Sequence, residues 1–201
     1  MADGGMLVGP ATLEGEVVRL EPLGPEHVEG LCAVAFDPDL WRWMPVVLRS
    51  RADVERFVGD ALQGRASGVE LPFATIVQGA GTVVGSTRYL AIAPAHRRLE
   101  IGWTWIARPW QRTAVNTEAK LLMLGHAFDG LGCHRVEFKT DALNAPSRAA
   151  ILRLGAREEG TFRRHMVMPD GRLRDSAYYS IIDAEWPAVK AGLLARLGRT
   201  A

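Results

Sequence analysis

The chain has 201 residues, 48% of them apolar and 23% charged, and a formal net charge of +1. This is length for one substantial core and ordinary globular composition, which excludes a disordered or fibrous protein. The near-zero net charge offers no basic field of the kind that phosphate-backbone binding needs, so a small molecule or a protein end is the expected partner and nucleic acid is not.

The opening MADGGMLVGP has no basic start and no sustained apolar run, so no secretory signal and no membrane span is expected and the cytoplasm is the expected compartment. Residues 12–23 read as a first strand. GPEHVEGLCAVA then sets Val28, Leu31, Cys32 and Ala35 on one helical face, and RADVERFVGDALQG does the same with Val54, Phe57, Val58 and Leu62. Residues 71–78, 82–93 and 97–107 are rich in β-branched and aromatic residues and are parted by Gly- or Pro-bearing turns, which predicts an antiparallel meander. The period then changes. Ala119, Leu122, Met123, His126 and Ala127 recur at helical spacing, and HRVEFKTD alternates with Val136, Phe138 and Thr140 on one side. Strand, helix, strand over 97–141 predicts a parallel pair with a crossover. NAPSRAAILRLG is a further helix, two strands over 157–168 and 172–183 flank Pro169–Gly171 as a hairpin, and a last helix starts around Pro187. The prediction is an α+β domain over 1–201, with a core over 11–183, a C-terminal helix over 184–201, and helices on both faces of a mixed, mostly antiparallel sheet of about seven strands. Cys32 and Cys133, the only cysteines, lack metal-ligand spacing and are expected as buried thiols, and no metal site is expected.

WQRTAVNTEAK, Trp110 to Lys120, joins a strand to a helix. The first N–H groups of a helix lack internal partners and the dipole adds about half a positive charge there, so this end can hold an anion, although Thr113 or Asn116 could equally serve as an ordinary cap.

In order, these elements resemble the GCN5-related N-acetyltransferases, and in wording the branch that acetylates ribosomal-protein N-termini (the RimJ/RimL type). The resemblance spans about residues 11 to 190 and is carried by EIGWTWI, PWQRTAVNTEAKLLML, NAPSRAAILRLGAREEG and RDSAYYSIIDAEWPAVK. It implies acetyl-CoA as cosubstrate and transfer to a primary amine, a protein N-terminus or a small molecule, by direct attack through a tetrahedral intermediate. The family's turn, Gln/Arg-x-x-Gly-x-Gly/Ala, would hold the diphosphate with residues 111–117: Gln111, Arg112, Thr113, Ala114, Val115, Asn116 and Thr117. Both glycine slots are changed here, to Ala114 and Asn116, which keeps a non-catalytic acyl-CoA-binding or interaction module open as the alternative. Such a loop can still present amides if the helix begins by residue 114.

The resemblance further implies that backbone groups of Thr104, Trp105 and Ile106 line the pantetheine arm, and that Asn144 and Ser147 lie beside the cofactor, with an ordinary helix N-cap in NAPS as the equal alternative for Asn144. Ser147 is expected as a donor or relay to the departing thiolate. Glu100 is the candidate base, directly or through water, with pairing to Arg98 or another cation as the plain alternative. Strict alternation would set Glu100, Gly102, Thr104 and Ile106 on one face and Ile101, Trp103, Trp105 and Ala107 on the other. Trp41, Trp43 and Met44 are expected at the acceptor wall, with one of the two tryptophans packed against the sheet. Tyr178 and Tyr179 point opposite ways. The hairpin residues Arg163, Arg164, His165, Arg172 and Arg174 read as a solvated face, and a homodimer is plausible for the fold.

Overall fold

The computed structural model describes residues 6–200; residues 1–5, part of the opening read for a targeting signal, lie outside them. One eight-stranded sheet runs through the protein: β1 (Leu13–Glu14), β2 (Val18–Pro22), β3 (Leu71–Val77), β4 (Thr82–Ala93), β5 (Arg98–Ile106), β6 (Arg135–Asp141), β7 (Arg157–Val167) and β8 (Leu173–Ile182), in the order β1-β2-β3-β4-β5-β6-β8-β7. The strand beyond the seven expected comes from the N-terminus. What reads as one strand over 12–23 folds back at Gly15, pairing Leu13 with Leu20. Every pairing is antiparallel except β5 with β6.

Helices α1 (Val28–Cys32) and α2 (Arg51–Ala66) cover one face, where Leu31, Val54, Phe57 and Val58 pack with Trp41 and Trp105. On the other face α3 (Ala114–Gly125), α4 (Ala145–Leu154) and α5 (Trp186–Arg196) bury Val115, Met123, Ile151, Trp186 and Leu193 against Leu99, Ile101, Val136, Phe138 and Tyr179. Burying a side chain of this size yields about 1.5–3 kcal/mol, so these two layers supply most of the drive to fold. The caps follow the sequence. Ser50 accepts the Asp53 amide, Asn144 the Ser147 amide, and left-handed Gly155 (φ 105°) ends α4. Cys133 is buried, as expected, with its thiol pushed up to about 11 by burial, whereas Cys32 is half-buried; its place on α1 leaves one side open.

Two irregularities shape the centre. Ser86 pairs with Trp105 and Arg88 with Gly102, so Thr87 faces both Trp103 and Thr104: a β-bulge, with Trp103 at φ 49°. A bulky residue in that region costs about 1–3 kcal/mol and persists only where its surroundings fix it. Here the Arg88 guanidinium lies 4.6 Å from the Phe57 ring and 4.6 Å from the Trp103 ring, and it pairs with Glu70 at 2.9 Å. The bulge also breaks the strict alternation expected along β5. Glu100 and Gly102 share a face as predicted, but the extra residue returns Thr104 and Ile106 to the α3 side and turns Trp103 and Trp105 toward α2.

The second irregularity is a split. β5 and β6 pair only through Arg98–Arg135, Leu99–Val136 and Glu100–Glu137, after which the two strands run on without pairing to Ile106 and Asp141.

Candidate active site

The split opens into a cleft of about 780 Å³ between β5, β6, the first turns of α3 and α4, and the segment that carries Trp43 and Met44. Thirteen of the residues expected at a site line it: Trp43, Met44, Glu100, Thr104, Trp105, Ile106, Gln111, Arg112, Thr113, Asn116, Thr117, Asn144 and Ser147. Trp41, Ala114 and Val115 do not. Trp41 is 2% exposed, lies tilted against Trp105 with ring centroids 5.1 Å apart, and donates its indole N–H to the Ala35 carbonyl at 2.7 Å, so it is the tryptophan that packs. Val115 sits in the core under α3, and Ala114 is exposed at the first helical position.

The turn into α3 is held from both sides. The Gln111 side chain donates to the Ile106 carbonyl at 2.8 Å, and the Thr113 hydroxyl donates to the Trp110 carbonyl at 2.8 Å while accepting the Val115 amide at 3.3 Å. That amide is therefore engaged internally. The amides of Arg112, Thr113, Ala114 and Asn116 make no hydrogen bond among the described residues, and the Asn116 Oδ1 is buried without a partner. Within this turn the left-handed residue is Arg112 (φ 61°), while positions 114 and 116, where glycine was to be expected, are helical and need none. Basic side chains dominate the lining, with Arg42, Arg108, Arg112, Lys139, Arg153 and Arg174 against Asp39 and Glu100.

Glu100 is 4% exposed where the strands part. Burial raises its pKa, and Lys139, whose Nζ stands 3.2 Å from Oε2, partly offsets this. The cation that holds it is thus Lys139, while Arg98 turns to Glu137 at 3.4 Å. On α4 the Asn144 side chain caps the helix and leaves the half-buried Ser147 on the cleft wall. Tyr179 is in the core with its hydroxyl accepting from Arg148 Nε at 2.8 Å, whereas Tyr178 is half-exposed on the opposite face, 5.8 Å beneath Lys139 Nζ. Arg163, Arg164 and His165 are exposed as expected, but Arg174 is not: it is 5% exposed and turns into the cleft.

Lys120 escapes the sequence reading altogether. It lines the cleft at 5% exposure, donates to Thr104 Oγ1 at 2.7 Å and to Thr87 Oγ1 at 3.3 Å, and forms no ion pair among the described residues. Burial pulls its pKa down to about 7. The signal was there: Lys120 shares the i, i+3, i+4, i+7 stripe with the buried Met123, Leu124 and Ala127. Among the described residues no helix is long and apolar enough to cross a membrane, and no three His, Cys, Asp or Glu side chains gather as a metal site.

Comparison with known proteins identifies the family. The family model described as "Acetyltransferase (GNAT) domain" matches residues 18–157. The crystal structure of a GCN5-related N-acetyltransferase from Brucella melitensis is 36% identical, with a TM-score of 0.88 over 94% of this chain and 86% of that one. Mycobacterium smegmatis RimJ, solved in complex with CoA-disulfide, is 27% identical with a TM-score of 0.78 over 96% and 94% of the two chains. The "Putative ribosomal N-acetyltransferase YdaF" of Bacillus subtilis (strain 168) is 31% identical over 110 residues, 55% of this chain and 59% of the relative.

Proposed function

Since the chain belongs to the GNAT acetyltransferase family and is an acetyl-CoA-dependent N-acetyltransferase of RimJ-like kind, we propose that it acetylates an unprotonated primary amine in the cleft between β5 and β6, with Glu100 as the base. The acceptor is a protein N-terminus or a small amine. One observation carries this reading: the sheet parts immediately beyond Glu100, within the same cleft as the open amides of Arg112, Thr113 and Asn116.

The donor set fits coenzyme A, a thioester carrier with a diphosphate. Unpartnered amides at a helix start suit the diphosphate, and the basic lining suits an anionic ligand. The unpaired edge of β5 from Thr104 to Ile106 offers backbone groups to an extended arm, and preorganised amides in acyl transfer are worth about 3–4 kcal/mol each. Bound there, acetyl-CoA supplies an activated acetyl group.

The chain's own residues then divide the work. Depriving an α-amino group of its proton near pH 7 costs about 1 kcal/mol, against roughly 4–5 for a lysine side chain, so a single carboxylate suffices for the former. Glu100, with its pKa raised by burial, receives that proton directly or through water. Ser147 donates a hydrogen bond to the thiolate rather than a proton, because a serine hydroxyl is a far weaker acid than a thiol of pKa about 8.5. Trp43 and Met44 form the acceptor wall. A merely binding role loses its motive, because the two changed glycine slots lie in helical backbone that alanine and asparagine adopt freely.

The test is twofold. Calorimetry with CoA alone should show binding that Asn116→Asp, which sets a negative charge against the diphosphate, weakens by at least about tenfold. Incubation with acetyl-CoA and a panel of amines should release free thiol above background. Absence of thiol release with every amine overturns the proposal, and unchanged CoA affinity in Asn116→Asp overturns the placement of the diphosphate.

A further inference from the structure

Arg174 is the anomaly of the cleft. It stands second in β8, and Ser176 and Tyr178 share its side of the strand, while Ala177, Tyr179 and Ile181 face the α3 layer. Its side of the sheet is therefore the side of Glu100 and Lys139. The diphosphate turn belongs to the opposite side.

Buried arginines are tolerated when they are paired. Arg88, 3% exposed, follows that rule through Glu70 and two aromatic rings. Arg174, 5% exposed, has neither a hydrogen bond nor an ion pair among the described residues, and its Nε is fully enclosed without a partner. The two carboxylates whose charges it feels are already engaged. Asp141 accepts from Arg172 at 2.5 Å and from the Leu143 amide at 2.9 Å, and Glu100 is held by Lys139 at 3.2 Å. Two anions thus meet three cations, Arg172, Lys139 and Arg174, and one positive charge is left over on the acceptor side. A guanidinium remains protonated even when buried, so this charge cannot be shed by titration. A planar fork of N–H donors at the edge of a cleft matches a carboxylate.

Resting on the transferase reading above, we propose that Arg174 forms an anion subsite of the acceptor pocket and receives a carboxylate carried by the amine substrate. The acceptor class is then an amino acid or a peptide that presents a carboxylate near its free amine. This carboxylate comes either from the α-carboxyl of a free amino acid or from an acidic side chain at the start of a polypeptide; the chemistry at Arg174 is the same.

The experiment separates these sources and separates this inference from the proposed activity. Acetylation is followed with three matched acceptor sets: free amino acids, their C-terminal amides, and peptide amides beginning with Ser-Asp or Ser-Asn. The expected result is a kcat/KM at least about 30-fold higher for the carboxylate-bearing member of a pair, expressed mainly in KM and abolished in Arg174→Gln. Arg174→Lys should restore part of the preference, and both variants should bind CoA as the wild type does. Equal use of acid and amide by the wild type, or a preference that survives in Arg174→Gln, overturns the inference and leaves the transferase standing. Binding is also read without turnover, by calorimetry of N-acetylphenylalanine and N-acetylaspartyl peptide amides against the CoA-saturated protein. Failure of every such acid to bind better than its neutral counterpart overturns the inference even if no amine is acetylated. Thermal melts identify a variant that fails to fold; the acid-against-amide comparison in the wild type then decides alone.

Discussion

Two buried glutamates divide this molecule into a part that is finished and a part that is not. Glu118, fully buried on α3, accepts the amides of Glu16, Val17 and Val18 at 3.0, 2.6 and 2.6 Å, and Arg199 at 2.6 Å. It anchors the β1–β2 hairpin, and Gly15 is glycine because a Cβ there would stand 2.4 Å from the Glu118 carboxyl carbon. Glu100 has one cation. Around it, among the described residues, Arg174 has no direct side-chain partner and Lys120 only two hydroxyls. Buried polar groups are normally satisfied, so a region where several fall short is one whose partners arrive from outside.

The contrast can be broken in three ways. Glu118→Ala strips partners from three amides and a guanidinium at once and should cost about 3–5 kcal/mol of folding free energy, read by denaturant unfolding; a loss under about 1 kcal/mol would deny that this carboxylate is structural. Glu100→Gln should do the reverse, with stability within about 1 kcal/mol of wild type while kcat falls by roughly 100-fold or more; a full-rate variant would remove Glu100 from the chemistry. The smallest effect concerns Lys120. Its folded pKa of about 7 lies below the unfolded value of 10.5, so the unfolded chain binds more protons between those limits. The penalty is complete below pH 7 and stability rises as pH climbs from there toward 10.5, by about 2 kcal/mol between pH 7 and 9 relative to Lys120→Met. A flat difference across that range would show the ammonium to be well solvated.

Periodicity carried most of the fold because the elements obey it: the meander, the strand–helix–strand passage and the closing hairpin lie within a residue or two of where alternation and helical spacing put them. It failed where a distant group decides local structure. The β1–β2 reversal depends on Glu118, about a hundred residues away. The bulge at Trp103 depends on Arg88 being clamped between two rings, and one extra residue there reverses the facing of Thr104 and Ile106. The site was legible where its members sit at element ends, as at Gln111–Thr117 and Asn144–Ser147, because caps and turns write themselves into short motifs. Arg174 was not, since an arginine in a charged hairpin looks solvated until β6 and the cleft enclose it.

The seam between β5 and β6 is only three residue pairs long, extended by one bond from the His134 N–H to the Arg97 carbonyl, and it is the strand pairing that joins the five strands on one side to the three on the other. The sheet is in effect two leaves stapled at one corner. Any molecule lodged in the gap becomes a second staple, and at 100 times its dissociation constant it would stabilise the fold by about 2.7 kcal/mol. Slower amide exchange along Leu99–Ile101 and Val136–Phe138 would be its mechanical signature.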